Sequence, residues 1–139
     1  MIDLKAYFMG RDTAYPAELT PEIDANAALI VERANRLIDY MVADGVEIED
    51  NPRTGTPVSS GWRPAAINKA TPNAAPRSKH LLGLAVDIYD PEGEIDDWCM
   101  DNLDKLTACE LWLEHPSATK GWSHWQTVAP RSGKRTFYP

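Results

Sequence analysis

Between Ile23 and Met41 the apolar residues return every three or four positions: Ile23, Ala27, Ile30, Val31, Ala34, Leu37, Ile38, Met41. That is the stripe of an amphipathic helix, and Glu32, Arg33, Arg36 and Asp39 fall largely on the other side. Thr20 is placed to cap it, Pro21 suits the first helical position and Gly45 suits its end, so the pattern predicts a helix over 20–44. A different pattern follows at 84–89. Leu84-Ala85-Val86-Asp87-Ile88-Tyr89 is the short continuous apolar run of a buried strand, interrupted by one carboxylate. Trp122–Val128 alternates well enough for a strand, and Pro57–Trp62 and the short Val46–Glu49 are read the same way. A second helix is predicted over 96–113, burying Trp98, Leu103, Leu106, Leu111 and Trp112 and stopped by His115-Pro116-Ser117.

The remaining segments are punctuation. Residues 1–19 are expected to form an irregular arm that packs on the body through its aromatics. Asn51–Gly55 and Asp90–Gly93 are turn clusters. Residues 64–77 contain Pro64, Pro72 and Pro76 and many small side chains, so a long loop is expected, with one helical turn at 65–69. Residues 118–121 form a loop, and 130–135 a basic, turn-rich tail. The sum is an α+β fold in one domain, 1–139. Its small, mainly antiparallel sheet of three or four strands carries a site on one face, with the helices 20–44 and 96–113 over the other.

Composition narrows the functions. A chain of 139 residues is long enough to bury one core without staples. A net charge of −7 and a pI near 4.9 leave no basic stripe for phosphates, so neither nucleic acid nor an anionic membrane surface is an expected partner. No apolar run is long enough for a bilayer, and Met1–Lys5 lacks the plan of a signal peptide. Synthesis in the cytoplasm without a signal peptide, and a monomer, are the expectations. Cys99 and Cys109, ten residues apart on one predicted helix, would be ~15 Å apart, too far for a disulfide. Both are read as packing residues.

The chemistry starts from Asp87. A carboxylate inside a buried strand is costly unless a cation, a donor network or a metal accompanies it. His80 lies seven residues upstream, and a turn at Gly83 can fold it back towards Asp87. The chain has three histidines, and His124 sits between two tryptophans in a predicted strand. Two imidazoles and one carboxylate make a standard catalytic zinc shell with a fourth position for water, whose pKa zinc lowers to ~7. Against this stands the ordinary reading, in which a strand histidine is a core or surface residue. A third reading makes Trp62, Trp122 and Trp125 a stacking surface of a metal-free carbohydrate- or peptide-binding domain.

The segments Ser60-Gly61-Trp62-Arg63, Ser78-x-His80-x-x-Gly83-x-Ala85-x-Asp87 and His124-Trp125 occur in that order. In this the chain resembles the zinc D-alanyl-D-alanine carboxypeptidases of VanY type and the phage L-alanyl-D-glutamate endolysins, over about residues 56–128. The resemblance implies the hedgehog/D-Ala-D-Ala-peptidase-like fold and Zn2+ held by His80, Asp87 and His124. Arg63 and Ser78 would bind the substrate, a peptidoglycan stem peptide, with Arg63 also stabilising the tetrahedral intermediate. It further implies action on the cell wall as a phage lysis or virion protein. One part departs from the pattern. Many members carry Glu or Asp three residues before the last histidine, and others a histidine two before it; here these positions hold Gly121 and Trp122. Glu110, Glu114 and His115 are the alternatives for a proton acceptor, with Glu114, at the predicted helix end, ranked first. A zinc-binding structural or interaction module of the same fold, without peptidase activity, is the other reading of this departure.

Overall fold

The computed structural model describes residues 1–139. It is a mixed α+β structure with six α-helices and one open five-stranded sheet. The long helix α3, Pro21–Ala43, is the one the stripe predicts: Thr20 accepts a hydrogen bond from the Ile23 amide at 3.1 Å, and every stripe residue from Ile23 to Met41 is buried. Burying a side chain such as Leu37 or Ile30 contributes about 1.5–3 kcal/mol, and α3 supplies a whole row of them.

The residues expected to form an irregular arm form helices instead. Helix α1 covers Leu4–Phe8 and α2 covers Arg11–Ala14, with Asp3 capping α1 through the Ala6 amide at 2.8 Å. Asn35 on α3 brackets Ile2, accepting from its amide and donating to its carbonyl, both at 2.8 Å. Ile2, Tyr7 and Phe8 are core residues. Five- and four-residue helices have too short a stripe to be seen in a sequence; tertiary packing decides them.

The strands are β1 Val58–Ser60, β2 Ala85–Asp90, β3 Trp112–Glu114, β4 Gly121–Gln126 and β5 Thr136–Phe137, in the order β1-β2-β4-β3-β5. The expected sheet of three or four mainly antiparallel strands is therefore corrected to a mixed sheet of five. The chain leaving β4 swings round and returns beside β3 in the same direction, where the amides of Leu113 and His115 donate to the carbonyls of Arg135 and Phe137 at 2.9 and 2.7 Å. A two-residue edge strand in a polar tail leaves no hydrophobic pattern. Residues 46–49, expected as a strand, are irregular.

The helix predicted over 96–113 is also corrected. It is two helices, α5 Glu94–Asp101 and α6 Leu103–Ala108, followed by a turn and by β3. The helix stops in a left-handed turn, where the amides of Glu110 and Leu111 donate back to the Thr107 and Leu106 carbonyls at 3.1 and 2.9 Å. Arg36 donates to the carbonyl of Ala108 at 3.1 Å and Arg33 to that of Glu110 at 3.0 Å, and Glu110 adopts a left-handed φ of 54°. Leu111 and Leu113, which extend a helical spacing in the sequence, are buried as turn and strand residues.

Val58, Val86, Ile88, Leu113 and Trp125 join the α3, α5 and α6 side chains in one core. That core occupies one face of the sheet. Alternation along the strands sends Asp87, His124 and Glu114 to the other face, and a register shift between Val58 and Ser60 brings Ser60 opposite Asp87. No helix is long and apolar enough to cross a membrane.

Candidate metal centre

The site is a row across the sheet. Ser60 is the partner of Asp87 and Asp87 the partner of His124. The β3–β4 register, Trp112 with Gln126 and Leu113 with Trp125, sets Glu114 opposite His124 when carried one step on. Glu114 in turn pairs with Phe137 on β5. Directly opposed residues share a face and lie ~4.5–5.5 Å apart. Four strands therefore place a hydroxyl, a carboxylate, an imidazole and a second carboxylate side by side.

His80 arrives from outside the sheet, on a 3-10 turn spanning Lys79–Leu82. Ser78 caps that turn, its Oγ accepting from the His80 amide at 3.2 Å. Gly83 ends it with a φ of 73°, and a Cβ there would stand 3.1 Å from the Ile23 carbonyl oxygen, so glycine is required both by conformation and by the closeness of α3. The His80 ring is tied at Nδ1 to the Gly61 carbonyl at 2.8 Å. Its Nε2 then lies 3.2 Å from Asp87 Oδ2, buried and without a hydrogen bond. Gly61 is held from behind by α1: a Cβ on it would overlap the Tyr7 carbonyl oxygen and lie 2.8 Å from that carbonyl's carbon. Tyr7 itself donates through Oη to the Ala85 carbonyl at 2.9 Å.

On the other side, His124 Nδ1 lies 2.8 Å from Asp87 Oδ1, and its Nε2 lies 3.1 Å from Gln126 Oε1. Both histidines thus spend one ring nitrogen on a neighbour and direct the second at the same carboxylate. A carboxylate accepts and does not donate, so each nitrogen facing it carries a proton or shares a metal ion with it. His80, Asp87 and His124 form a group that can hold a metal ion, their ligand atoms all within 4.8 Å of one another. Each nitrogen faces its own oxygen of Asp87, His80 Nε2 lying 3.2 Å from Oδ2 and His124 Nδ1 2.8 Å from Oδ1. The His80 side chain is buried, while those of Asp87 and His124 keep 9% and 12% of their surface exposed.

Without a metal, protons take that role. Burial opposes the charge on Asp87, but His80 and the hydrogen bond from His124 overcome it and hold the carboxyl far below the usual carboxylate range. Burial also opposes charge on His124, yet its hydrogen bond to Asp87 wins and raises it. His80, more deeply enclosed, is lowered by burial despite the same carboxylate.

Arg63 completes the row. Its Nε donates to Ser60 Oγ at 3.0 Å, Nη1 to Asn68 Oδ1 at 3.3 Å and Nη2 to Asp87 Oδ2 at 3.3 Å. Three of a guanidinium's five N–H donors are used, leaving two. Asn68, on α4 (Ala65–Ala70), is buried and also donates to the Ala75 carbonyl at 3.0 Å, which ties the 64–77 loop to Arg63. Sequence reasoning missed Asn68, and a lone Asn in a proline-rich loop carries no signal. It missed Gln126 too, although two residues beyond His124 on a strand is the same face.

Glu114 is at the site, but on β3 and not at a helix end. Burial and Asp87 push its carboxyl up, against the pull of His124 and Arg63, and no basic group lies within salt-bridge distance of it. The other two alternatives are elsewhere. His115 lies past the end of β3 as the cap of the 3-10 turn Pro116–Ala118, its Nδ1 2.8 Å from Ser117 Oγ and its ring stacked on Tyr138. Glu110 is exposed at the turn, facing Arg33 at 3.6 Å. Gly121 has a φ of 97°, a conformation in which Glu or Asp would be strained, so this backbone has no place for an acid there. Trp62 and Trp125 are buried, which removes them as a stacking surface and leaves Trp122 alone partly exposed. Cys99 and Cys109 are buried and free.

Comparison of the chain with family models, with curated proteins and with solved structures finds no match.

Proposed function

We propose that the chain is a zinc metallopeptidase that hydrolyses peptide bonds of peptidoglycan stem peptides, as a carboxypeptidase or an endolysin-type endopeptidase of the D-Ala-D-Ala-peptidase-like fold. The observation that carries this reading is the convergence of two imidazole nitrogens on one buried carboxylate, with a second, unpaired carboxylate beside His124 on the next strand. The motif resemblance supplies the substrate class. Two imidazoles and a carboxylate favour zinc over the harder cations, which prefer all-oxygen shells. Zinc in this group would supply a Lewis acid toward water and the scissile carbonyl.

The chain's own residues do the rest. His80 and His124 hold their rings in place through Gly61 and Gln126. Glu114, unpaired and raised towards neutrality by burial, takes the proton from the attacking water and passes it to the leaving amine. Arg63 turns its two free N–H donors to a substrate carboxylate or carbonyl and to the negative charge that develops during attack. Ser78 shapes the turn that delivers His80, and its hydroxyl is the second substrate-facing donor. Action on the cell wall, in a phage lysis or virion setting, follows from the same resemblance.

The second reading, a zinc-binding module without turnover, is favoured by Gly121, where the similar enzymes carry an acid. Release of amino acids or cleaved stem peptides from purified peptidoglycan separates the two. The peptidase reading expects zinc-dependent release that His124→Ala abolishes. Equal, background-level release by both proteins across several wall chemotypes refutes it. Absence of stoichiometric zinc, with stability unchanged by chelator, refutes both zinc readings.

A further inference from the structure

Helix α4 buries a single side chain, and that side chain is polar. Of Ala65–Ala70, Asn68 alone is buried, at 6% exposure. A buried polar group is the informative kind of burial, because it needs partners. The partners of Asn68 settle its orientation. Nδ2 donates to the Ala75 carbonyl at 3.0 Å, so Oδ1 is the end that accepts from Arg63 Nη1 at 3.3 Å. The Ala75 carbonyl also accepts from the Ser78 amide at 3.1 Å, and Ser78 caps the turn that delivers His80. Asn68 is thus the joint between Arg63 and the segment on which His80 enters the site.

Arg63 is pulled two ways. Asp87 attracts it, yet Nη2 stays 3.3 Å from Oδ2, where an unrestrained charge-assisted pair closes to ~2.7–2.9 Å. The opposing anchors are Ser60 on Nε, at 3.0 Å, and Asn68 on Nη1. One anchor leaves a guanidinium free to pivot; two on different nitrogens fix its plane. We propose that Asn68 is the positioning residue that holds Arg63 off Asp87 and keeps the guanidinium turned to substrate. Without the amide, Arg63 pivots about its bond to Ser60, closes on Asp87 and spends there a donor that the substrate needs. The anchoring is a property of the metal-free chain; only its consequence for substrate rests on the peptidase reading.

The test compares two variants of the full chain. Asn68→Ala loses both bonds, whereas Asn68→Asp loses the donor to Ala75 and keeps an acceptor for Arg63. A merely structural Asn68 makes the two behave alike; a positioning residue makes them part. In crystals of chelator-treated protein, Arg63 Nη2 should stay near 3.3 Å from Asp87 Oδ2 in the wild type and in Asn68→Asp. In Asn68→Ala it should close to about 2.8 Å. On zinc-loaded protein, Asn68→Ala should lower kcat/KM for peptidoglycan fragments by about 10–100-fold, and Asn68→Asp by less than about threefold. In an Arg63→Lys background Asn68→Ala should cost nothing further, since it acts through the guanidinium. A wild-type crystal in which Arg63 is closed on Asp87 and free of Asn68 overturns the proposal without any variant, which covers the case of Asn68→Ala failing to fold. So does a folded Asn68→Ala with Arg63 unmoved, or an equal loss of kcat/KM in both variants. Arg63 moving as expected in Asn68→Ala, with no peptide release by the wild type, leaves the positioning role standing and sinks the peptidase reading.

Discussion

Gly61 is the point at which α1 and the site share one contact, and Gly61→Ala tests whether that contact is as rigid as it looks. The added Cβ overlaps the Tyr7 carbonyl oxygen and stands 2.8 and 2.9 Å from the Tyr7 carbonyl carbon and ring Cδ1. None of these atoms can yield cheaply. Tyr7 is fully buried, its hydroxyl is bonded to the Ala85 carbonyl, and its ring packs edge-on against Phe8 at 5.7 Å. Overpacking of a core costs about 1–3 kcal/mol, and a clash with backbone belongs at the top of that range. We expect a loss of about 3 kcal/mol in urea unfolding of the metal-free protein, or roughly 10 °C in Tm for a domain of this size. The Gly61 carbonyl also holds His80, so zinc affinity should fall at least about tenfold in the same protein. Gly121→Ala is the control. Nothing lies within 4 Å of a Cβ there, but its φ of 97° is strained, and about 1 kcal/mol should be lost. Gly61→Ala with stability within about 0.5 kcal/mol of wild type would show that α1 is a loose appendage, and the buttress argument would fail.

Zinc at a hundred times its Kd should stabilise the wild type by about 2.7 kcal/mol, a gain that His80→Ala and His124→Ala should lose; thermal melts with and without chelator measure it. Glu114→Gln should cut kcat on peptidoglycan fragments by about a hundredfold or more while zinc Kd stays within about threefold, and full activity would remove Glu114 as proton acceptor. Burial, with help from Asp90 and Asp97 and against the Ser123 and Thr119 hydroxyls, pushes the Asp96 carboxyl up to about 6. Its folded value is raised, so its favourable contribution is full below the unfolded pKa of about 3.9 and is lost as pH rises through about 6. Asp96→Asn should therefore be more stable than wild type at pH 8, by on the order of 2 kcal/mol, and show no gain at pH 4; a variant less stable at pH 8 refutes this.

Much of the centre was legible before any coordinates. An aspartate inside an apolar strand run is a local anomaly, and anomalies of burial can be read from sequence because the hydrophobic pattern sets the burial. The histidines were few, and His124 lay in an alternating strand. These three residues do meet. Glu114 was named for the wrong reason. It was placed at a helix end that does not exist, because Leu111 and Leu113 continue a helical spacing by coincidence. A left-handed turn at Glu110 and pairing with β4 and β5 make that stretch a turn and a strand, and the arginines of α3 hold the carbonyls of Ala108 and Glu110 there. The same pair was assigned to the polar side of the helix, where charge alone suggests solvent.

The sequence by itself determined α3, the strands β2 and β4, and the three residues of the candidate metal group, because each depends on a pattern within a few neighbouring positions or on a rare residue type. Only the tertiary structure decided what surrounds them. The folding of residues 1–19 into helices behind Gly61, the parallel strand β5, the clasp of Asn68 on Arg63 and the bond from Gln126 to His124 all join segments or atoms through three-dimensional packing. Such contacts leave no period in the chain. Their energy comes from burial and hydrogen bonding between partners that local sequence cannot see.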